Sequence, residues 1–125
     1  MNKIFIVGNV TKDPELRTTT TGKNVCTFTV AVNRRKPNQN GEHEADFFRV
    51  STWEGMADNC AKYLSKGKKV SVVGAVSVHS YTTQKGEAAA NMEVLASEVE
   101  FLSPKQDDID SQTGYKKVDP SDLPY

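Results

Sequence analysis

Residues 46–54, Asp-Phe-Phe-Arg-Val-Ser-Thr-Trp-Glu, hold the side chains best suited to chemistry. At the strand period of two, Phe47, Arg49, Ser51 and Trp53 fall on one face, and Phe48, Val50 and Thr52 on the other. The second row is an ordinary core face. The first sets a guanidinium between two aromatic rings, a combination that suits unpaired nucleobases on a phosphate backbone. A ring stacks on the π-face of any base for about 1–3 kcal/mol, and Arg answers the phosphate charge. The same alternation also occurs in strands buried on both faces, where Phe47 and Trp53 would be packing residues. The elements around this stretch bear on the choice.

A second strand is expected over 25–34. Its Cys26, Phe28, Val30 and Val32 make a core row, and Thr27, Thr29, Ala31 and Asn33 make a small polar row. Small side chains let something flat lie across a strand, although a plain solvent face has the same composition. Arg34, Arg35 and Lys36 follow as three successive cations. Asn38-Gln39-Asn40-Gly41 is a hairpin turn by composition. It folds the second strand back onto 46–54 and brings the basic cluster to the side of Phe47 and Arg49. A third aromatic, Tyr81, lies on the polar row of a strand expected over 69–82.

The remaining elements complete the frame. A β-branched strand opens the chain at 3–10 and is interrupted by Gly8-Asn9, a bulge or bend signal. A turn at 11–14 leads to a short strand at 16–18 and a polar loop ending in Gly22-Lys23. Ala57, Cys60, Ala61 and Leu64 form one apolar stripe of a helix over 56–65. Lys66-Gly67-Lys68-Lys69 is expected to end it, with Gly67 as the left-handed cap. Gly74 bends the fourth strand, a turn occupies 83–87, and the last strand is expected over 91–102. Three strands, one short helix and two strands give an all-β fold, the five-stranded OB barrel, which binds on the face of its second and third strands.

The totals set bounds. The chain has 125 residues and a formal net charge of zero. Residues 1–104 carry 13 Lys or Arg against 11 Asp or Glu, and residues 105–125 carry three against five. Residues 1–70 alone hold 12 against seven, a body suited to a polyanion. The expected organisation is an OB domain over 1–104 and a flexible acidic tail over 105–125. Asp119, Asp122, Leu123, Pro124 and Tyr125 give the tail an apolar tip behind acidic residues, which reads as a docking peptide or as a frayed terminus. Cys26 and Cys60 are isolated and read as buried free thiols, so no metal site and no cofactor are expected. No apolar run reaches membrane-spanning length and no signal peptide opens the chain, so a cytoplasmic protein without a membrane partner is expected. His43 and His79 have no evident catalytic partner, and neither an enzyme nor a small-molecule substrate is expected.

Several stretches carry a resemblance through their order and spacing. They are Met1-Asn2-Lys3, Gly8-Asn9, Asp13-Pro14-Glu15-Leu16-Arg17, Phe28, Ala31-Val32, Asp46-Phe47, Tyr63-Leu64-Ser65-Lys66-Gly67, Gly74 and Glu93-Val94. In these the chain resembles the bacterial single-stranded DNA-binding protein family over residues 1 to about 104. The resemblance implies base stacking by Phe47, Trp53 and Tyr81, with the phosphate-binding load on Arg34, Arg35, Lys36 and Arg49. It also implies a homotetramer that coats and protects single-stranded DNA at the replication fork, and in recombination and repair. The family's tail ends in an acidic run and Ile-Pro-Phe, which binds replication and repair proteins; Leu123-Pro124-Tyr125 is similar. The sequence departs from the pattern in places. Lys36 replaces a fourth aromatic, Ala75, Ser77 and His79 stand where many members carry a base, and Ala88-Ala89-Ala90 lacks the usual aromatic. These departures imply weaker or differently salt-dependent binding. They also leave room for an accessory OB protein of a primosome, or an RNA-binding barrel.

Overall fold

The computed structural model describes residues 1–103. The acidic segment with Asp119, Asp122, Leu123, Pro124 and Tyr125 lies outside the described residues. Six strands and one helix follow in the order β1 (Ile4–Val10), β2 (Glu15–Thr18), β3 (Asn24–Asn33), β4 (Ala45–Trp53), α1 (Glu54–Tyr63), β5 (Lys69–Thr82) and β6 (Ala88–Phe101). The sheet runs β1-β5-β6-β4-β3-β2, and an additional β1–β3 pairing closes five strands into a ring. The short β2 lies outside that ring, paired with β3 from Glu15↔Thr27 to Thr18↔Asn24. All the ring pairings are antiparallel except β4–β6, which is parallel through Arg49↔Glu93, Val50↔Val94 and Ser51↔Leu95.

The inward rows are those expected from the alternation. Cys26, Phe28 and Val30 on β3, Val50 and Thr52 on β4, Val70 and Val72 on β5 and Val94 on β6 are buried together with Ile6 and Val10. Each fully buried valine contributes about 1.5–3 kcal/mol. The Thr52 hydroxyl is the buried polar group of this core, and it donates to the Cys26 carbonyl at 2.9 Å. Ala57, Cys60 and Leu64 from the helix stripe enter the same core.

Ring closure depends on a glycine. β1 pairs with β5 from Ile4 to Asn9, and at Asn9 and Val10 it also pairs with β3. At Gly8 the β3 backbone comes so close that a Cβ would collide with the Ala31 carbonyl oxygen. A second irregularity, a register shift between Val73 and Gly74, bends β5 across β6.

Three boundaries differ from expectation. The helix begins at Glu54 and ends at Tyr63, because Leu64 takes an extended backbone that sends its side chain into the core. Gly67 is therefore not the helix cap. With φ of +90° it sits in a separate turn that is stitched to the end of β1. There the Gly67 amide donates to Val10 at 2.8 Å, the Val10 amide donates to Lys68 at 2.9 Å, and Asp13 accepts from the Lys66 amide at 2.9 Å. The last strand starts at Ala88, since Ala88, Ala89 and Ala90 pair with Thr82, Tyr81 and Ser80 despite the low strand preference of alanine. Beyond its contacts with β1 and β4, the β5–β6 pair continues as a two-stranded arm.

Candidate nucleic-acid interface

The alternation of β4 places its two rows on opposite sides of the barrel wall. Val50 and Thr52 are buried, Phe48 is half-buried against the core, and Phe47, Arg49 and Trp53 face out. Phe47 is 65% exposed and Trp53 42% exposed, so neither ring belongs to the buried core of the barrel. The register of β3 sets Ala31 opposite Phe47, Thr29 opposite Arg49, Thr27 opposite Ser51 and Val25 opposite Trp53. The small row of β3 thus lies directly beside the large row of β4.

β6 supplies the other flank. Its parallel pairing puts Glu93 opposite Arg49 and Leu95 opposite Ser51. Three grooves follow from this layout. The first, about 260 Å³, is lined by Lys12, Asp13, Glu15, Arg17, Thr29 and Arg49 among others. The second, about 480 Å³, lies between Thr29, Phe47, Arg49, Asn91, Met92 and Glu93. The third, about 220 Å³, runs along Ser51, Trp53, Ser77, Glu93, Val94 and Leu95. Arg49 lines the first two and Glu93 the last two, so the pair stands where the grooves meet.

The expected cations have unequal surroundings. Arg34 is engaged: its Nε and Nη2 donate to Asp46 Oδ1 at 3.1 and 2.9 Å, and its Nη1 donates to Glu44 Oε2 at 3.3 Å. The hydrogen bond and charge of Asp46, with the charge of Glu44, raise the guanidinium pKa further above its ordinary value. Arg35 and Lys36 are exposed in the bend after β3 and take no side-chain partner among the described residues. Among the described residues Arg49 makes one ion pair, with Glu93, Nε to Oε1 at 3.5 Å. Tyr81 is 47% exposed on the β5–β6 arm, opposite Ala89 and apart from these three grooves. Phe47, Arg49 and Trp53 are thus brought onto one face, with Tyr81 further out and the 34–36 cluster at the hairpin end.

Sequence reasoning missed Glu93, Asn91 and Leu95 as members of this face, along with Lys12 and Arg17 at its edge. The period of two on β6 marks the first three as one row. What it lacks is any sign that this row lies beside β4. Among the described residues there is no group of three His, Cys, Asp or Glu that could hold a metal ion. No helix among them is long and apolar enough to cross a membrane.

Residues 1–102 match the model of the single-strand binding protein family. The chain is similar to single-stranded DNA-binding protein 2 of Listeria monocytogenes, 44% identical over 113 residues that cover 90% of this chain and 71% of the relative. It is also similar to single-stranded DNA-binding protein A of Bacillus subtilis, 44% identical over 117 residues, 94% of this chain and 68% of the relative. Single-stranded DNA-binding protein 1 of Staphylococcus aureus is 42% identical over 117 residues, 94% of this chain and 75% of the relative. A family match across the whole barrel, with relatives above 40% identity over most of both chains, makes this chain a member of the single-strand binding protein family.

Proposed function

We propose that the chain binds single-stranded DNA without regard to sequence, coating and protecting exposed strands in replication, recombination and repair. The observation that carries this is the outward row of β4, two exposed rings with Arg49 between them beside the small row of β3. Phe47 and Trp53 stack bases, with Tyr81 as an outer platform on the arm. Arg49, Arg35 and Lys36 answer the phosphates; Arg34 joins them only by leaving Asp46 and Glu44. Stacking gives affinity without base identity, and counterion release makes that affinity fall with salt. The names of the relatives support the choice of ligand.

Trp53 is the single tryptophan, so its fluorescence has one source. Titration with oligo(dT) at low salt is expected to quench it, and high salt to restore it. Binding without quenching would remove Trp53 from the site, and no binding at all would overturn the reading. A preference for RNA over DNA oligomers would favour the accessory RNA-binding alternative instead.

Self-association is part of the same proposal. The outer row of β1 carries Phe5, 72% exposed, and Val7, 49% exposed, with Val73 of β5 in register beside Phe5. An apolar strip of this kind on a sheet face supports pairing with a second copy, and a homotetramer is the expected assembly. The segment with Asp119, Asp122, Leu123, Pro124 and Tyr125 is proposed to recruit replication and repair proteins. Capture by the full chain and not by a chain ending at Pro120 is the expected result.

A further inference from the structure

A nucleic-acid face usually excludes acids, yet Glu93 stands in the middle of this one. It lines both grooves that hold the rings, the one with Phe47 and the one with Trp53. A strand that touches both rings must cross it. Its ion pair with Arg49 is long, 3.5 Å from Nε, and the Arg49 guanidinium makes no hydrogen bond among the described residues. Asp46 holds Arg34 quite differently, through two nitrogens at 3.1 and 2.9 Å, with Glu44 on a third. Arg49 is therefore the loosely held cation, positioned in register by the β4–β6 pairing and able to turn to another anion.

We propose that Glu93 is an electrostatic brake on strand binding: its carboxylate competes with the backbone phosphates for the Arg49 guanidinium. The proposal rests on the single-strand-binding reading. When a phosphate takes Arg49, Glu93 loses its partner beside a second negative charge and draws in a cation from solution. That uptake offsets part of the cation release that drives association. The face then trades affinity for ready exchange of the strand, a setting that the stacking rings alone would not give.

The test is Glu93→Gln, which keeps the shape of the side chain and removes its charge. Oligo(dT) affinity is measured across a salt series for the wild-type chain and the variant, with thermal melting to show that both are folded. The expected result is roughly two- to five-fold tighter binding at low salt, the range of an exposed ion pair. A steeper fall of affinity with salt is expected as well. Repeating the substitution in an Arg49→Gln background is expected to shrink the gain, since the competition needs Arg49. Wild-type binding with no gain in Glu93→Gln would overturn the brake alone. Weaker binding by the variant would also overturn it, showing that Glu93 aims Arg49 instead of restraining it. Failure of the wild-type chain to bind oligo(dT) would overturn the underlying reading and the brake with it.

Discussion

Phe47 faces Ala31 directly across the β3–β4 pair, so the most exposed ring of the face has a methyl group for its neighbour. Nothing on β3 competes with a base for that ring. The adjacent Phe48 points the other way and packs against the core. On the proposed reading, two neighbouring phenylalanines divide binding from stability. Phe47→Ala is expected to weaken oligo(dT) binding by about 1–3 kcal/mol, the range general to OB-fold single-strand binders, with little change in melting temperature. Phe48→Ala is expected to cost on the order of 3 kcal/mol of folding stability, read by urea denaturation.

Arg34 and Arg35 are adjacent in sequence and differ in what holds them. Arg34 is tied to Asp46 and Glu44, and Arg35 has no side-chain partner among the described residues. The slope of log affinity against log salt counts phosphate contacts at about 0.7 each for single strands. Arg35→Gln is expected to flatten that slope by up to about 0.7, and Arg34→Gln by less. The reverse order would show that Arg34 leaves its carboxylates when a strand binds.

The outward Phe5 and Val7 make a prediction about assembly. Phe5→Glu places a charge on the apolar strip without touching the core, because Phe5 points away from Ile6. Sedimentation velocity is expected to show a smaller species than the wild-type chain forms at the same concentration. An unchanged sedimentation coefficient would place the self-association surface elsewhere.

Cys26 and Cys60 both lie inside the barrel, and burial pushes both thiols above their ordinary range, Cys60 to about 11. Neither is expected to react with a thiol reagent at pH 8 unless the chain is unfolded. The native chain holds the Cys60 proton more tightly than the unfolded chain, so its contribution to stability is intact below about pH 9. It is lost between about pH 9 and about pH 11, at about 1.4 kcal/mol for each pH unit. Denaturation curves across that window are expected to show the decline, and Cys60→Ala to reduce its steepness.

The sequence shows β4 clearly because a period of two with β-branched and aromatic residues has few other meanings. The hairpin after β3 is equally legible, since Gly41 takes φ of +82° where Asn-Gly announces a turn. The helix stripe identifies Ala57, Cys60 and Leu64 as core, but not the early stop at Tyr63. That stop follows from where Leu64 finds space in the barrel. Arg34 reads as a free cation in the sequence because the carboxylates that hold it, Glu44 and Asp46, come from the other side of the hairpin. Glu93 is the most hidden residue of the face. It meets Arg49 only through a parallel pairing between strands separated by the helix and all of β5, and no local pattern records such a neighbour.

That pairing spans only Arg49 to Ser51 on β4, and Glu93 to Leu95 on β6. The β3–β4 hairpin can form early from local contacts and already displays both rings. The walls that turn those rings into grooves come from β6, a strand distant in sequence whose docking needs long-range contacts. If these grooves hold the strand as proposed, recognition requires the finished barrel. On the proposed reading, a bound strand stabilises the closed ring by an amount that grows with the logarithm of its concentration over Kd. A strand that spans from the Phe47 groove to the Trp53 groove, as proposed, is expected to lace this three-pair join from outside and to lower the frequency with which it opens.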